Sequence, residues 1–67
     1  MITNENLKER LNAYQEVYPV PLTFIGEKID LSEKVSKYLL SRFKRGIITL
    51  DDTTQAMLDK YLTEQGF

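Results

Sequence analysis

Two closely spaced prolines, Pro19 and Pro21, constrain the fold of this 67-residue chain more than any other feature. The residue before a proline avoids helical geometry, so a helix that approaches this segment must end there. Upstream of the prolines, apolar residues recur at steps of four and three, which is the spacing of one helical face: Leu7, Leu11, Tyr14 and Tyr18. The sequence therefore predicts a first helix over residues 4–18.

The segment over residues 18–29 is predicted to be extended. Its prolines favour polyproline or edge-strand conformations, and residues 22–25 are rich in side chains that favour strands. No second stretch of comparable strand character is present to pair with it. We therefore expect either a buried connector that crosses the helices, which is the preferred alternative, or an edge that pairs with a second copy of the chain.

Two further helices are expected in the second half of the chain. Asp30 and Glu33 have the spacing of a capping box, which would begin the second helix, and Gly46 would end it. Thr49 would cap a third helix that ends at Gly66. The fold class is therefore mostly α, a single domain over residues 1–67 with three helices and one extended proline-containing segment. The second helix should bury Leu31, Val35, Tyr38, Leu39 and Phe43.

Composition limits both the core and the chemistry of the chain. A domain of this length buries only about 60% of the surface that its unfolded form exposes. The chain has no cysteine and no histidine. It therefore lacks a thiol nucleophile, the commonest metal ligand and the commonest general base. We expect a protein that is not an enzyme and has no cofactor and no metal site. The expected core comprises Leu11, Leu39, Phe43, Met57, Leu58 and Tyr61.

No targeting or membrane segment is visible in the sequence. The longest run without a charged residue covers residues 17–26 and contains both prolines, whereas a membrane span needs roughly 20 apolar residues. The first residues lack the basic region and apolar stretch of a secretory signal. A cytoplasmic location without membrane interaction is therefore expected.

Charge is unevenly distributed along the chain. The formal net charge is −1, yet residues 28–45 hold six cations and two carboxylates, a balance of +4. At 100° per residue, four cations of the second predicted helix fall within about 100° of one another: Lys34, Lys37, Lys44 and Arg45. These four are the candidate partner-binding residues, because like charges at helical spacing repel one another and an acidic partner would relieve that repulsion. The alternative is a solvated face that only keeps the chain in solution.

Two classes of partner suit this basic face. The preferred class is an acidic protein, or a second copy of the chain docking through its own acidic face or through residues 22–25. The alternative is DNA, bound by a helix-turn-helix that the second and third predicted helices would form around Gly46. In such a unit the start of the second helix faces the bases, where Asp51 and Asp52 would repel phosphates. DNA binding through the second predicted helix itself is the remaining alternative.

The stretch Phe43-Lys-Arg-Gly-Ile-Ile-Thr-Leu-Asp-Asp, followed by a short helix and Leu62-Thr63-Glu64, resembles a known family. It is similar to the small XkdX-type proteins encoded among the tail genes of phages of Gram-positive bacteria. These proteins tend to show a Lys-Gly-Ile-Thr/Tyr-x-Asp/Glu-Asp core with a helix after it. The resemblance covers residues 43–64 and carries over no catalytic or binding residue. It implies a phage or prophage accessory protein.

Overall fold

A computed structural model describes residues 3–67, and this part of the chain contains four helices and no strand. The helices are α1 (Asn4–Val17), α2 (Leu22–Lys28), α3 (Glu33–Lys44) and α4 (Asp52–Glu64). Helix α1 packs against both α3 and α4, while α2 packs against α3 in the most extensive contact of any helix pair. The mostly helical prediction is confirmed, and the predicted number of three helices is wrong.

The extra helix lies in the segment that the sequence predicted to be extended. Residues 22–28 are helical, so the segment is neither an extended connector nor an edge strand. Pro21 precedes the first turn with φ −68° and ψ 152°, a position where its missing N–H leaves no hydrogen bond unmade. Ile25 is buried in the core and Leu22 packs against that core. Because seven residues are too few for a stable isolated helix, packing against the rest of the chain overrides the local strand preference.

Helix α3 begins later than the sequence predicted. The hydroxyl of Ser32 accepts a hydrogen bond from the Val35 N–H at 3.3 Å and caps the helix. Asp30, the predicted cap, instead lies in the preceding turn with φ 62°. The helix ends as predicted at Gly46, which has φ 78°.

The start of α1 agrees with the prediction, whereas the start of α4 differs from it. Helix α1 begins at Asn4 as predicted, and the Thr3 side chain caps it by accepting a hydrogen bond from the Asn6 N–H at 3.0 Å. The cap of α4 is Asp51 rather than Thr49, since the Asp51 carboxylate accepts from the Thr54 N–H at 2.9 Å. Hydrogen bonds from Thr54, first from its hydroxyl and then from its N–H, lower the pKa of the Asp51 carboxyl group. This carboxylate is therefore used within its own helix.

The core draws on all four helices. Of the six residues predicted for it, Leu11, Phe43 and Leu58 are buried, and the others are partly buried at its edge. The predicted buried face of α3 is wrong in part, because Val35 and Tyr38 are 44% and 58% exposed. Other residues of α3 face inward in their place. The buried apolar residues are Leu7, Leu11, Tyr14, Ile25, Ile29, Leu40, Phe43, Leu50, Leu58 and Leu62.

Polar side chains join α1 to α4 and to the end of the chain. The Arg10 guanidinium forms an ion pair with Asp59, and its Nε donates to the Phe67 carbonyl at 2.8 Å. The hydroxyl groups of Tyr14 and Tyr61 lie 2.7 Å apart and share a hydrogen bond. Burial, followed by this hydrogen bond, raises the pKa of Tyr61. The charged and hydrogen-bonding side chains at this contact therefore have their partners within the chain.

Candidate functional site

Helices α2 and α3 are joined by a turn of four residues, 29–32. The carbonyl of Gly26 accepts hydrogen bonds from the N–H groups of Ile29 at 3.1 Å and Leu31 at 2.8 Å, which closes the last turn of α2. Asp30 takes the left-handed conformation that such a turn requires and that glycine usually supplies. Two packed helices joined by a turn of this length share the connection length of a helix-turn-helix.

The two helices of this unit approach each other closely at Gly26. A Cβ atom added to Gly26 would lie 1.7 Å from Ser36 Oγ and 2.4 Å from Ser36 Cβ. Ser36 is buried, and its hydroxyl donates to the Ser32 carbonyl at 2.7 Å, so its burial leaves no hydrogen bond unmade. This crossing sets the rotation of α3 by directing Ser36 and Leu40 inward. The opposite side of α3 consequently faces solvent.

The outward side of α3 carries three of the four predicted partner-binding residues. Lys34, Lys37 and Arg45 are all exposed. The Lys37 ammonium lies 3.5 Å from a Glu33 carboxylate oxygen, and both side chains are largely exposed. A pair of this kind contributes little to stability and is easily exchanged for another partner. Arg45 Nε donates to the Ser41 carbonyl of its own helix at 3.3 Å.

The fourth predicted residue, Lys44, lies at the edge of this surface. Its side chain is half-buried, and its ammonium donates a hydrogen bond to the Gln15 side-chain carbonyl of α1. The Lys44 backbone carbonyl also accepts from the Asn12 side-chain amide at 3.3 Å. One of the three ammonium donors is therefore used to join α3 to α1.

The same surface contains two residues that the sequence predicted to be buried. Val35 and Tyr38 lie among the exposed cations, and the Arg42 guanidinium stacks over the Tyr38 ring with 4.0 Å between Arg42 Cζ and the ring centroid. A signal for this rotation is present in the sequence, because Ser36, Leu40 and Phe43 also have steps of four and three. We define the outward face of α3 as Lys34, Val35, Lys37, Tyr38, Arg42 and Arg45.

The surroundings of this face are shallow. A surface hollow of about 330 Å³ lies where the start of α2 meets α3, and Lys37 forms part of its wall together with Pro21, Leu22, Thr23 and Ser41. Within residues 3–67, no cluster of three or more side chains of metal-ligand type is placed to hold a metal ion. No helix in this part of the chain combines the length and apolar character needed to cross a membrane.

Comparisons of the chain with protein-family models, with curated proteins and with solved structures give no match. The functional argument therefore depends on the geometry of the α2–turn–α3 unit and on the charges that it presents.

Proposed function

We propose that the chain binds double-stranded DNA through the α2–turn–α3 unit, with α3 in the major groove. In helix-turn-helix proteins the second helix lies in that groove with its first residues toward the base edges, while the first helix crosses the backbone. The observation that carries the proposal is the outward rotation of α3. It leaves Lys34 and Lys37, both near the start of the helix, exposed and free of strong partners.

The helix pair proposed here to bind DNA, α2 and α3, differs from the pair that the sequence suggested. The sequence suggested α3 and α4, and in that pair Asp51 and Asp52 would have faced the phosphates. In the α2–α3 pair, the residues at the start of the second helix are Glu33, Lys34 and Val35, so there is one carboxylate in place of two, and it lies 3.5 Å from the Lys37 ammonium. Asp51 caps α4, and α4 packs against α1. The aspartates are therefore not part of the proposed contact.

The distribution of charge supports attraction of DNA to one segment of the chain rather than to the whole molecule. The segment 28–45 has a balance of +4, although the whole chain has a net charge of −1. Lys34, Lys37 and Arg45 are proposed to contact phosphates or bases, with Lys44 contributing from the edge. Each phosphate neutralised adds about 0.9 to the slope of log affinity against log salt concentration. With only four cations proposed for the contact, this slope should not exceed about 4, so the affinity for an arbitrary duplex should be moderate and its salt dependence limited.

The test compares two double variants that remove the same charge. Fluorescence anisotropy with a labelled duplex of about 25 base pairs would measure affinity between about 50 and 200 mM salt. Lys34→Gln with Lys37→Gln removes two cations from the outward face of α3. Lys8→Gln with Lys60→Gln removes two from α1 and α4. We expect the first variant to bind more weakly, with a salt slope reduced by about 1.8, and the second to bind as the parent chain does.

The matched net charge makes the outcome specific to the surface. Equal loss in both variants would indicate general charge attraction and would contradict a role for α3. An absence of duplex binding by the folded parent chain at about 50 mM salt would contradict the proposal altogether.

An acidic protein surface is the second candidate ligand for the outward face of α3. It is favoured by the net charge of −1, which repels DNA from the rest of the molecule, and by the exposed Val35 and Tyr38 side chains. Apolar side chains surrounded by charge are typical of protein interfaces. Capture of an acidic protein that is lost in the Lys34–Lys37 variant, together with no duplex binding, would favour this candidate.

The genetic setting is a separate proposal that rests on the resemblance of residues 43–64 to XkdX-type proteins. These residues form the end of α3, the connection after it and α4. A phage or prophage origin is compatible with either ligand. Tail and lysis genes beside the coding sequence would support an accessory role, whereas an integrase gene beside it would support a DNA-binding regulator.

A further inference from the structure

Val35 and Tyr38 form an exposed apolar pair at the start of α3. They are three residues apart and therefore adjacent on the helix surface, and their side chains are 44% and 58% exposed. Valine is not a favoured helix residue, because its branched side chain is restricted against the preceding turn. Neither core packing nor helix propensity accounts for an exposed valine at this position.

The neighbours of this pair are cationic. Lys34 precedes Val35 directly and lies one turn before Tyr38, and Lys37 directly precedes Tyr38 in the helix. The Arg42 guanidinium covers one face of the Tyr38 ring at 4.0 Å. The hydroxyl of Ser32 accepts from the Val35 N–H and holds the first turn in place. The surface therefore presents a small apolar centre with positive charge around it.

Duplex DNA offers a matching arrangement. Phosphates border the major groove, and the base edges within it present hydrogen-bond donors and acceptors together with one apolar group, the C5 methyl of thymine. A valine side chain cannot donate or accept a hydrogen bond, so its favourable contact in the groove is with that methyl. We infer that Val35, beside Tyr38, contacts thymine methyl groups and makes thymine-containing duplex DNA the preferred ligand. This inference rests on the proposed function.

The experiment removes one methyl group from the DNA and the two γ-methyl groups of Val35 from the protein. A duplex would first be selected by the full chain from a randomised pool of double-stranded DNA. The selected duplex would then be resynthesised with uracil replacing thymine at one position at a time, which removes only the C5 methyl. We expect about fourfold weaker binding at one or two positions, the loss that corresponds to one buried methyl group. Val35→Ala should remove the difference between thymine and uracil at one of those positions.

A second exposed valine provides the control. Val17 lies at the end of α1 with its side chain 59% exposed, and it is outside the α2–turn–α3 unit. Val17→Ala should therefore keep the full preference for thymine. Equal affinity for thymine and uracil at every position would overturn the inference while leaving duplex binding intact. A preference that persists unchanged in Val35→Ala would overturn it too, since another residue would then read the methyl group. If the chain binds no duplex at all, the proposed function fails first and the inference falls with it.

Discussion

The α1–α4 contact and the α2–α3 contact are built from different interactions. Arg10 of α1 reaches Asp59, the Thr63 hydroxyl and the Phe67 carbonyl, and Tyr14 pairs with Tyr61, so polar side chains bridge α1 to α4 and the chain end. Between α2 and α3, both of which lie wholly in the described residues, no side-chain hydrogen bond is present. Those helices are held by buried apolar residues and by the close approach at Gly26.

This difference separates charged residues that stabilise the fold from charged residues that remain exposed and can bind a partner. The charged residues of the α1–α4 contact are satisfied within the chain, and substituting them should change stability. The cations on the outward face of α3 are mostly exposed, with the loose pair of Lys37 and Glu33 as their main ionic contact. Substituting them should change binding with little effect on stability. Three variants test the comparison between the two helix contacts, beginning with the largest expected effect.

The closest approach between α2 and α3 is the first target. Gly26→Ala places a Cβ atom 1.7 Å from Ser36 Oγ, so the two helices must separate or rotate. We expect a loss of about 3 kcal/mol in the free energy of unfolding, measured by chemical denaturation. That loss is a large share of the stability of so small a domain.

A second substitution and a control keep this result interpretable. Ser36→Gly, added to Gly26→Ala, removes both clashing atoms and should restore part of the lost stability. Gly46→Ala adds a methyl group to a residue with φ 78° whose nearest neighbour is the flexible Lys8 side chain. It should cost only the strain of a left-handed alanine, about 1 kcal/mol. Equal costs for the two single alanine variants would show that helix proximity at Gly26 is unimportant.

The polar contact between α1 and α4 is the second target. Arg10→Gln removes the ion pair with Asp59 and leaves a partly buried carboxylate without its cation. We expect a loss of about 2 kcal/mol in the free energy of unfolding, within the range for hydrogen bonds to charged groups. Affinity for duplex DNA should be unchanged under conditions where the variant is folded. Weaker binding by the folded variant would mean that α1 takes part in the proposed site.

The turn between α2 and α3 is the target with the smallest expected effect. Asp30 has φ 62°, a conformation that glycine adopts without steric strain. Asp30→Gly should raise the free energy of unfolding by about 0.5 kcal/mol, because relief of strain is partly offset by the entropy of glycine in the unfolded chain. Asp30→Ala should lower it instead. A destabilised glycine variant would indicate that the Asp30 carboxylate itself stabilises the turn.

Local sequence alone determined several parts of this fold. The apolar spacing of Leu7, Leu11 and Tyr14 predicted α1, and its start at residue 4 and the end of α3 at Gly46 are as expected. These features depend on interactions within one or two helical turns, and the residue types involved favour one conformation strongly. The exposed positions of Lys34, Lys37 and Arg45 also agree with the helical spacing.

Only the tertiary structure decided where α2 lies and how α3 is rotated. Asp30 and Ser32 are both good helix caps, so the local sequence could not choose between them, and residues 22–28 are too few to form a helix without support. The choice follows from packing, because Gly26 lets Ser36 approach α2 while Ile25 fills the core. That approach joins residues ten positions apart in the chain, so helical periodicity does not reveal it. The same rotation places Val35 and Tyr38 on the outside of the molecule.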